Sequence, residues 1–399
     1  MAAVEFLPNV YWVGVVDWNL RDFHGYAVAP RGTTYNAYVI KGEKTVLVDT
    51  VSAACSRAFF EAVEAVVPLE AIDYLVVNHV EPDHSGCLME AVERIRPEKI
   101  FCSAMGKAFM LSHYHRSDWP FEVVQTGQSL PLGGKTIDFL ELKMLHWPDN
   151  MGCYVREDGL LISSDAFGQN WATSERFDDE MDFNEMAGLM GSYYANIILP
   201  FSEHVLKALG RVEELGWPIR MIAPSHGVIL RGHVEEAVGL YRRWARQEVT
   251  RKAVIVYDTM WKSTARMAEA IAEGLIQKGV TVRVFHMKAC HHSDVMAEVL
   301  DAAAVILGSS THNNGILPLM ADMVRYMEGL RPRGRVGAAF GSYGWSGEAP
   351  KQLSEALERM RMKVCDVLRV KNVPAEADLA VCKDLGRRLA GEVDALAGA

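Results

Sequence analysis

Apolar and polar positions along this chain change rhythm near residue 250. Beyond it, strand candidates at 254–257, 281–285, 304–308, 336–340 and 364–370, the first, third and fourth of them continuous apolar runs, alternate with helix-periodic stretches at 265–277, 295–300, 319–330, 349–362 and 378–397. Continuous runs suit strands buried on both faces, and the periodic stretches supply the helices that cover them. Five such strand–helix units predict a doubly wound, five-stranded parallel sheet. Before residue 250 the pattern is more mixed. Segments 36–40 and 45–49 predict a hairpin across Gly42-Glu43-Lys44. Helical periodicity follows at 56–66 and 86–95, with strands predicted at 75–77, 100–102, 122–124, 136–142 and 160–162. Two sheets covered by helices accommodate that pattern. A helix predicted at 235–247 and the polar link 248–252 set the expected domains at 1–250 and 251–399.

The 399 residues are 50% hydrophobic and 23% charged, an ordinary globular composition. A net charge of −10 argues against a general nucleic-acid binder, which needs a basic surface. No apolar run approaches the roughly 20 residues of a membrane helix. The amino terminus Met1-Ala2-Ala3-Val4-Glu5-Phe6 lacks the regions of a signal peptide, so a cytoplasmic, membrane-free protein is expected. Seven cysteines without a CxxC pair fit reduced, packed thiols, Cys87 among them. From Arg251 onward, 20 Lys and Arg stand against 17 Asp and Glu, so the acidic excess lies in the first part. This is either ordinary variation between solvated faces or a less acidic docking surface for a small acidic partner.

The densest chemistry lies in Asn78-His79-Val80-Glu81-Pro82-Asp83-His84, directly after the strand at 75–77. Residues at the carboxyl end of such a strand project into the crevice where α/β folds bind ligands. Three later segments also follow apolar runs: His146-Trp147-Pro148-Asp149, Ser164-Asp165-Ala166-Phe167-Gly168 and Ser225-His226-Gly227. The candidate ligands are therefore His79, Glu81, Asp83, His84, His146, Asp165 and His226. Their imidazoles and carboxylates, without thiolate, select a borderline-to-hard ion such as iron, manganese or zinc. Seven candidates exceed one tetrahedral ion and suit two ions. With Glu81, Asp83 and Asp165 ionised, one bridging hydroxide balances two divalent ions. Asp165, alone in its loop, is the expected bridge, holding two metals about 3.5–4 Å apart. Asp149, between Pro148 and Asn150, reads as a turn former rather than a ligand.

This pattern resembles the metallo-β-lactamase superfamily, whose hydrolases carry His-x-His-x-Asp-His. Here the order is His79-x-Glu81-x-Asp83-His84, and Glu in the second place is similar to the flavodiiron proteins. The resemblance implies an αββα sandwich whose diiron site has His79, Glu81, His146 and Asp165 around one iron. Asp83, Asp165 and His226 would hold the other. The histidine matching His84 coordinates in some members and turns away in others. It further implies that His24 and Tyr193 are pocket residues, donating hydrogen bonds to bound oxygen or nitrogen oxide. Asn170 stands where some relatives have His. An anionic ligand in place of neutral imidazole suits redox iron better than Lewis-acid zinc.

In the second part, Thr259-Met260-Trp261-Lys262-Ser263-Thr264 leaves the first strand and enters a helix, where hydroxyls and backbone N–H groups cradle a phosphate. Ser309, Thr311, His312, Asn313, Asn314 and Gly315 follow the third strand, and Ser342, Tyr343, Gly344 and Trp345 the fourth. Both loops lie at the expected switch point, where a flavin ring binds. No GxGxxG fingerprint appears, so FMN is expected rather than a dinucleotide. The phosphate loop lacks the glycine of free flavodoxins and is similar to the flavodiiron variant of a flavodoxin-like domain.

The resemblance thus implies an oxidoreductase reducing dioxygen to water, nitric oxide to nitrous oxide, or both, at two non-haem irons fed by FMN. With no module after the flavodoxin-like domain, electrons would arrive from a separate donor such as rubredoxin. A head-to-tail homodimer, or a dimer of such dimers, would bring Trp345 close to the partner's metal site. Two other classes compete: a dinuclear zinc hydrolase of thioesterase type with a regulatory flavodoxin-like domain, and a non-catalytic gas sensor. Glu81 and the flavin loops count against the first. The second lacks an output domain.

Overall fold

The strand at Tyr74–Val77 anchors a seven-stranded mixed sheet in the computed structural model, which describes residues 2–398. Its neighbours are Thr45–Val48 and Lys99–Cys102, both parallel to it. The predicted hairpin forms, with Tyr38–Lys41 antiparallel to Thr45–Val48. A second, five-stranded sheet contains Ser129–Pro131, Thr136–Glu141, Met151–Val155, Leu160–Ser164 and Met221–Pro224. Strand alternation sends Tyr38, Val46, Val48 and Val76 from the first sheet against Ile137, Phe139, Cys153 and Ile162 from the second. The opposite face of the first sheet presents Val39, Leu47, Leu75 and Val77 to Phe59, Phe60, Val63, Leu88 and Val92 from the helices Ser56–Glu64 and Leu88–Ile95. The far side of the second sheet buries Leu161 and Ile222, and Trp217 stacks on Tyr154 at 4.6 Å. This layering is the expected αββα sandwich. Cys87 is buried in its core, as expected of a packed thiol.

Several elements here left little trace in the apolar pattern. Strand Met151–Val155 is interrupted by Gly152, which sits so close to its neighbour that an added Cβ would lie 2.8 Å from the Ile162 carbonyl oxygen. Helix Ala104–Tyr114 has no clean apolar stripe, yet Ser103 starts it by accepting a hydrogen bond from the Gly106 N–H. The helix predicted at 86–95 begins inside the metal motif as a single turn, Pro82–Ser85, before Leu88–Ile95. Proline suits that first position because its missing N–H has no partner to lose there.

By its contacts the chain separates into two units. The second runs from Arg243 onward and takes in the short segments Tyr26–Val28 and Tyr194–Ser202; the first holds the rest. The second unit's sheet is wholly parallel, ordered Thr281–His286, Thr250–Asp258, Ala302–Ser309, Val336–Tyr343, Lys363–Lys371. Reversal of strand order beside Thr250–Asp258 creates the switch point expected of a doubly wound fold. Among the described residues no helix is long and apolar enough to cross a membrane.

Helices Ser263–Ile276 and Glu376–Ala397 pack through glycines that face each other's backbone. A Cβ on Gly274 would lie 2.0 Å from the Lys383 carbonyl oxygen, and one on Gly386 would lie 2.2 Å from that of Ile271. Backbone cannot yield as a side-chain tip does, so Gly274→Ala should lower unfolding free energy by about 1–3 kcal/mol. Urea unfolding checks this, and a variant as stable as the parent would contradict so close an approach.

Candidate metal centre

All seven candidate ligands converge at one end of the two sheets. His79 and Glu81 leave strand Tyr74–Val77, and Asp83 and His84 ride the helical turn Pro82–Ser85. His146 comes from the loop before Met151–Val155, Asp165 follows Leu160–Ser164, and His226 follows Met221–Pro224. Three groups form whose ligand atoms lie within 4.8 Å of one another: His79, Glu81 and His146; His79, His84 and Asp165; Asp83, His84 and His226.

Asp165 joins these groups through its two carboxylate oxygens. Its Oδ2 lies 3.5 Å from His79 Nε2 and 3.7 Å from His146 Nε2. Its Oδ1 faces the other way, 3.0 Å from His84 Nε2 and 3.5 Å from His226 Nε2. On the first side, Glu81 Oε2 lies 3.2 Å from His79 Nε2 and 3.1 Å from His146 Nε2. On the second, Asp83 Oδ2 lies 3.3 Å from His226 Nε2. His84 therefore points inward, between Asp83 and Asp165.

Hydrogen bonds behind two of the rings settle which nitrogen faces the pocket. A carboxylate only accepts, so His79 donates from Nδ1 to Asp149 Oδ2 at 2.9 Å and turns Nε2 toward Glu81 and Asp165. His226 Nδ1 likewise donates to the Thr34 carbonyl at 2.7 Å. Such contacts fix ring orientation and raise ligand basicity. Asp149 is thus more than a turn former: it is buried, and it also accepts from the Val80 N–H at 2.8 Å. Its position in the same block as His146 was the available signal; its flanking Pro148 and Asn150 masked it.

The pocket's electrostatics call for cations. Three carboxylates share a space where an uncompensated buried charge costs several kcal/mol. Burial alone would push the His79 and His84 imidazoles down, but Asp149 and Glu81 hold the first up to about 9, and Asp83 and Asp165 hold the second up to about 9. His226 is likewise held up to about 10, despite burial, by Asp165 and Asp83. The imidazoles in turn overcome burial to keep Glu81, Asp83 and Asp165 below the usual carboxylate range. Asp83 Oδ1 and His226 Nε2 are buried with no hydrogen bond of good geometry. Oriented imidazoles, low carboxylates and unsatisfied inward atoms fit a pair of metal ions.

The two expected pocket residues have different settings. Tyr193, buried, donates its hydroxyl to Asp165 Oδ1 at 3.1 Å, and burial keeps that phenol neutral. Its ring packs over Gly168, where an added Cβ would meet Tyr193 Cζ at 3.1 Å. His24 is exposed at a positive φ of 41°, its ring tilted against Phe23 with centroids 4.5 Å apart, and its pKa is lowered by desolvation against the pull of Glu81, Asp83 and Asp165. Asn170 accepts from the Thr33 hydroxyl at 3.0 Å.

The second unit gathers its own candidates at the carboxyl ends of its strands. The helix Ser263–Ile276 starts after Lys262 at φ 67°, a strained backbone for a non-glycine residue. Thr264 Oγ1 lies 2.9 Å from Ser310 Oγ and 3.0 Å from Ser342 Oγ, so the phosphate loop is braced to both later loops. Ser309 spends its hydroxyl on the Ser310 carbonyl and the Leu317 N–H, and Thr311 accepts from the Ala349 N–H. Asn313 and Asn314, at φ 47° and 60°, turn the backbone so that His312 and Gly315 exchange hydrogen bonds. Trp261 and Trp345 are 87% and 89% exposed, leaving both rings available to a planar ligand, with Met260 half exposed. Thr259 Oγ1 is buried without a partner, and Tyr343 ends the fourth strand with Gly344 opening its loop. An orphaned hydroxyl in a loop leading into a helix N-terminus fits a flavin phosphate.

Comparison with known proteins places these features in context. Residues 33–227 match the ODP family beta lactamase and residues 255–385 match flavodoxin. A solved rubredoxin oxygen:oxidoreductase from the anaerobe Desulfovibrio gigas shares 45% identity and a TM-score of 0.98, with all of each chain covered. A nitric oxide reductase from Moorella thermoacetica is 42% identical over 98% of each chain. The flavodiiron protein from Giardia intestinalis is 32% identical with a TM-score of 0.96, covering 100% of this chain and 98% of that one.

Asp149 orients a ligand without being one, so Asp149→Ala should weaken iron binding by about 10–100-fold while the fold persists. Iron retained per chain under graded chelator measures this. Unchanged retention would contradict the orienting role.

Proposed function

The chain belongs to the flavodiiron proteins, and on that premise we propose that it reduces dioxygen to water, nitric oxide to nitrous oxide, or both. His79, Glu81, His146 and Asp165 would hold one iron, with Asp83, Asp165 and His226 holding the second and His84 directed at the same space. The observation that carries this reading is the division of Asp165 between two ligand groups, with Oδ2 toward His79 and His146 and Oδ1 toward His84 and His226. Glu81 favours the redox reading over a hydrolase, because an anionic oxygen donor stabilises oxidised iron. Two irons and FMN together supply the four electrons that one dioxygen consumes, or the two that join a pair of nitric oxide molecules.

The chain's own residues contribute binding, orientation and protons. Tyr193 keeps a neutral hydroxyl on Asp165 and can turn it as a hydrogen-bond donor toward a substrate oxygen or nitrogen oxide bound alongside. His24, with a lowered pKa, is a second donor or acceptor for the same space. We place FMN on Thr259–Thr264 at its phosphate, with Ser309, Thr311–Gly315 and Ser342–Trp345 around the ring. The working domains are 1–250 for iron and 251–399 for FMN.

Rubredoxin is the donor this reading favours, as in the name of the Desulfovibrio gigas relative. All seven cysteines are free, which supports a reducing, cytoplasmic location. The proposed assembly is a head-to-tail homodimer, or a dimer of dimers, in which the exposed Trp345 faces the partner's iron site. A monomeric variant should then retain iron and FMN but lose turnover; a fully active monomer would contradict the arrangement.

Anaerobic protein with iron and FMN, reduced through rubredoxin, should consume dioxygen or nitric oxide over many turnovers. Asp165→Ala should lose more than the roughly 10–100-fold expected of an outer-sphere change, since it removes a shared ligand. Fully loaded protein that turns over neither gas would overturn the proposal.

A further inference from the structure

One buried side-chain amide bridges the loop bearing the shared carboxylate and the loop bearing His226. Gln169 is fully buried and immediately follows the Asp165–Gly168 turn. Its side-chain Nε2 donates to the Phe167 carbonyl at 2.6 Å, and its Oε1 accepts from the Val228 N–H at 2.8 Å. Its backbone N–H donates to the His226 carbonyl at 3.1 Å. Two of these bonds cross from the Asp165 loop to either side of Gly227, and the third, to Phe167, fixes the amide within its own loop.

The local backbone leaves these loops little other freedom. Phe167 has a φ of 68°, and its N–H is held by the Tyr241 hydroxyl at 2.5 Å. Gly227 has a φ of 83°, and an added Cβ there would lie 2.1 Å from Gln169 Oε1. The amide therefore fills the space that a side chain at 227 would need. On the opposite side, Thr34 accepts from the Gly227 N–H through Oγ1 at 2.6 Å, while its carbonyl accepts from His226 Nδ1. His226 is thus held between Thr34 and Gln169, and Gln169 supplies the side-chain link to the loop of Asp165, beside the backbone bond from the Ser225 N–H to the Ser164 carbonyl at 2.9 Å.

We propose that Gln169 is a positioning residue for the second iron, fixing the separation between Asp165 and His226 without touching the metal. The inference rests on the two-iron reading above. His79, Glu81 and His146 have no bond to Gln169, so the first iron keeps three ligands when the amide is lost. The second keeps its ligands too, but two of them sit on loops joined only by backbone bonds, Gln169 N–H to the His226 carbonyl and Ser225 N–H to the Ser164 carbonyl.

Gln169→Leu removes both side-chain hydrogen bonds at similar volume. Iron-loaded parent and variant would be dialysed against graded chelator, with iron per chain and thermal stability recorded together. The expected result is the second iron weakened by about 10–100-fold and the first, held also by His79, Glu81 and His146, weakened less. Two irons of parental affinity in a folded Gln169→Leu protein would overturn the assignment, whatever its stability. Should that variant fail to fold, Gln169→Glu is read the same way: it keeps an acceptor for Val228 and gives up the amide donor to Phe167. Parental affinity for both irons in Gln169→Glu would equally overturn the assignment. A parent chain that binds fewer than two irons would instead refute the two-iron reading itself.

Discussion

Everything in the first unit is organised around one carboxylate that faces two ways. Asp165 is buried, with one oxygen facing His79 and His146 and the other His84 and His226. An ionised group in that position is tolerable only if cations or protonated imidazoles surround it, since burying it alone costs several kcal/mol. The same constraint explains why the surrounding histidines are driven toward their charged forms and the carboxylates toward theirs. Two metal ions answer that demand. The ring nitrogens needed to bind them are already turned inward by Asp149 and the Thr34 carbonyl.

The fold supplies rigidity where this chemistry needs it. Each ligand follows the end of a buried strand or sits on a short turn pinned by hydrogen bonds. Ser85, just past His84, donates its hydroxyl to the Val80 carbonyl at 2.7 Å, closing the turn that carries Asp83 and His84. Asn36 and Tyr38 both donate to the Pro224 carbonyl, at 2.8 and 2.7 Å, and so hold the strand end that leads to His226. In the second unit a comparable brace of Thr264, Ser310 and Ser342 joins three loops from three different strands. Ligand geometry in both units is thus set by neighbours one step removed from the ligand.

Much of this was legible in the chain because its signals are local. The parallel sheet of the second unit declared itself through its alternation of strand and helix patterns, and the metal motif through the density of His79, Glu81, Asp83 and His84. The seven candidate ligands do converge in space. What escaped notice depends on contacts distant in sequence. Asp149 meets a ring 70 positions away, and its Pro and Asn neighbours suggested only a turn. Met151–Val155 was hidden by Gly152, whose small size matters only once strand Leu160–Ser164 lies beside it. Gln169 carries no motif, and its role appears only when the Asp165 and His226 loops are side by side.

Mössbauer spectroscopy on chain loaded with iron-57 tests the central claim most directly, because it reports whether two irons share a bridge. The account predicts two irons per chain that behave, when oxidised, as one exchange-coupled pair without a net spin. Replacing Asp165 should remove that coupling. Two magnetically isolated irons, or a single iron per chain at saturation, would contradict it.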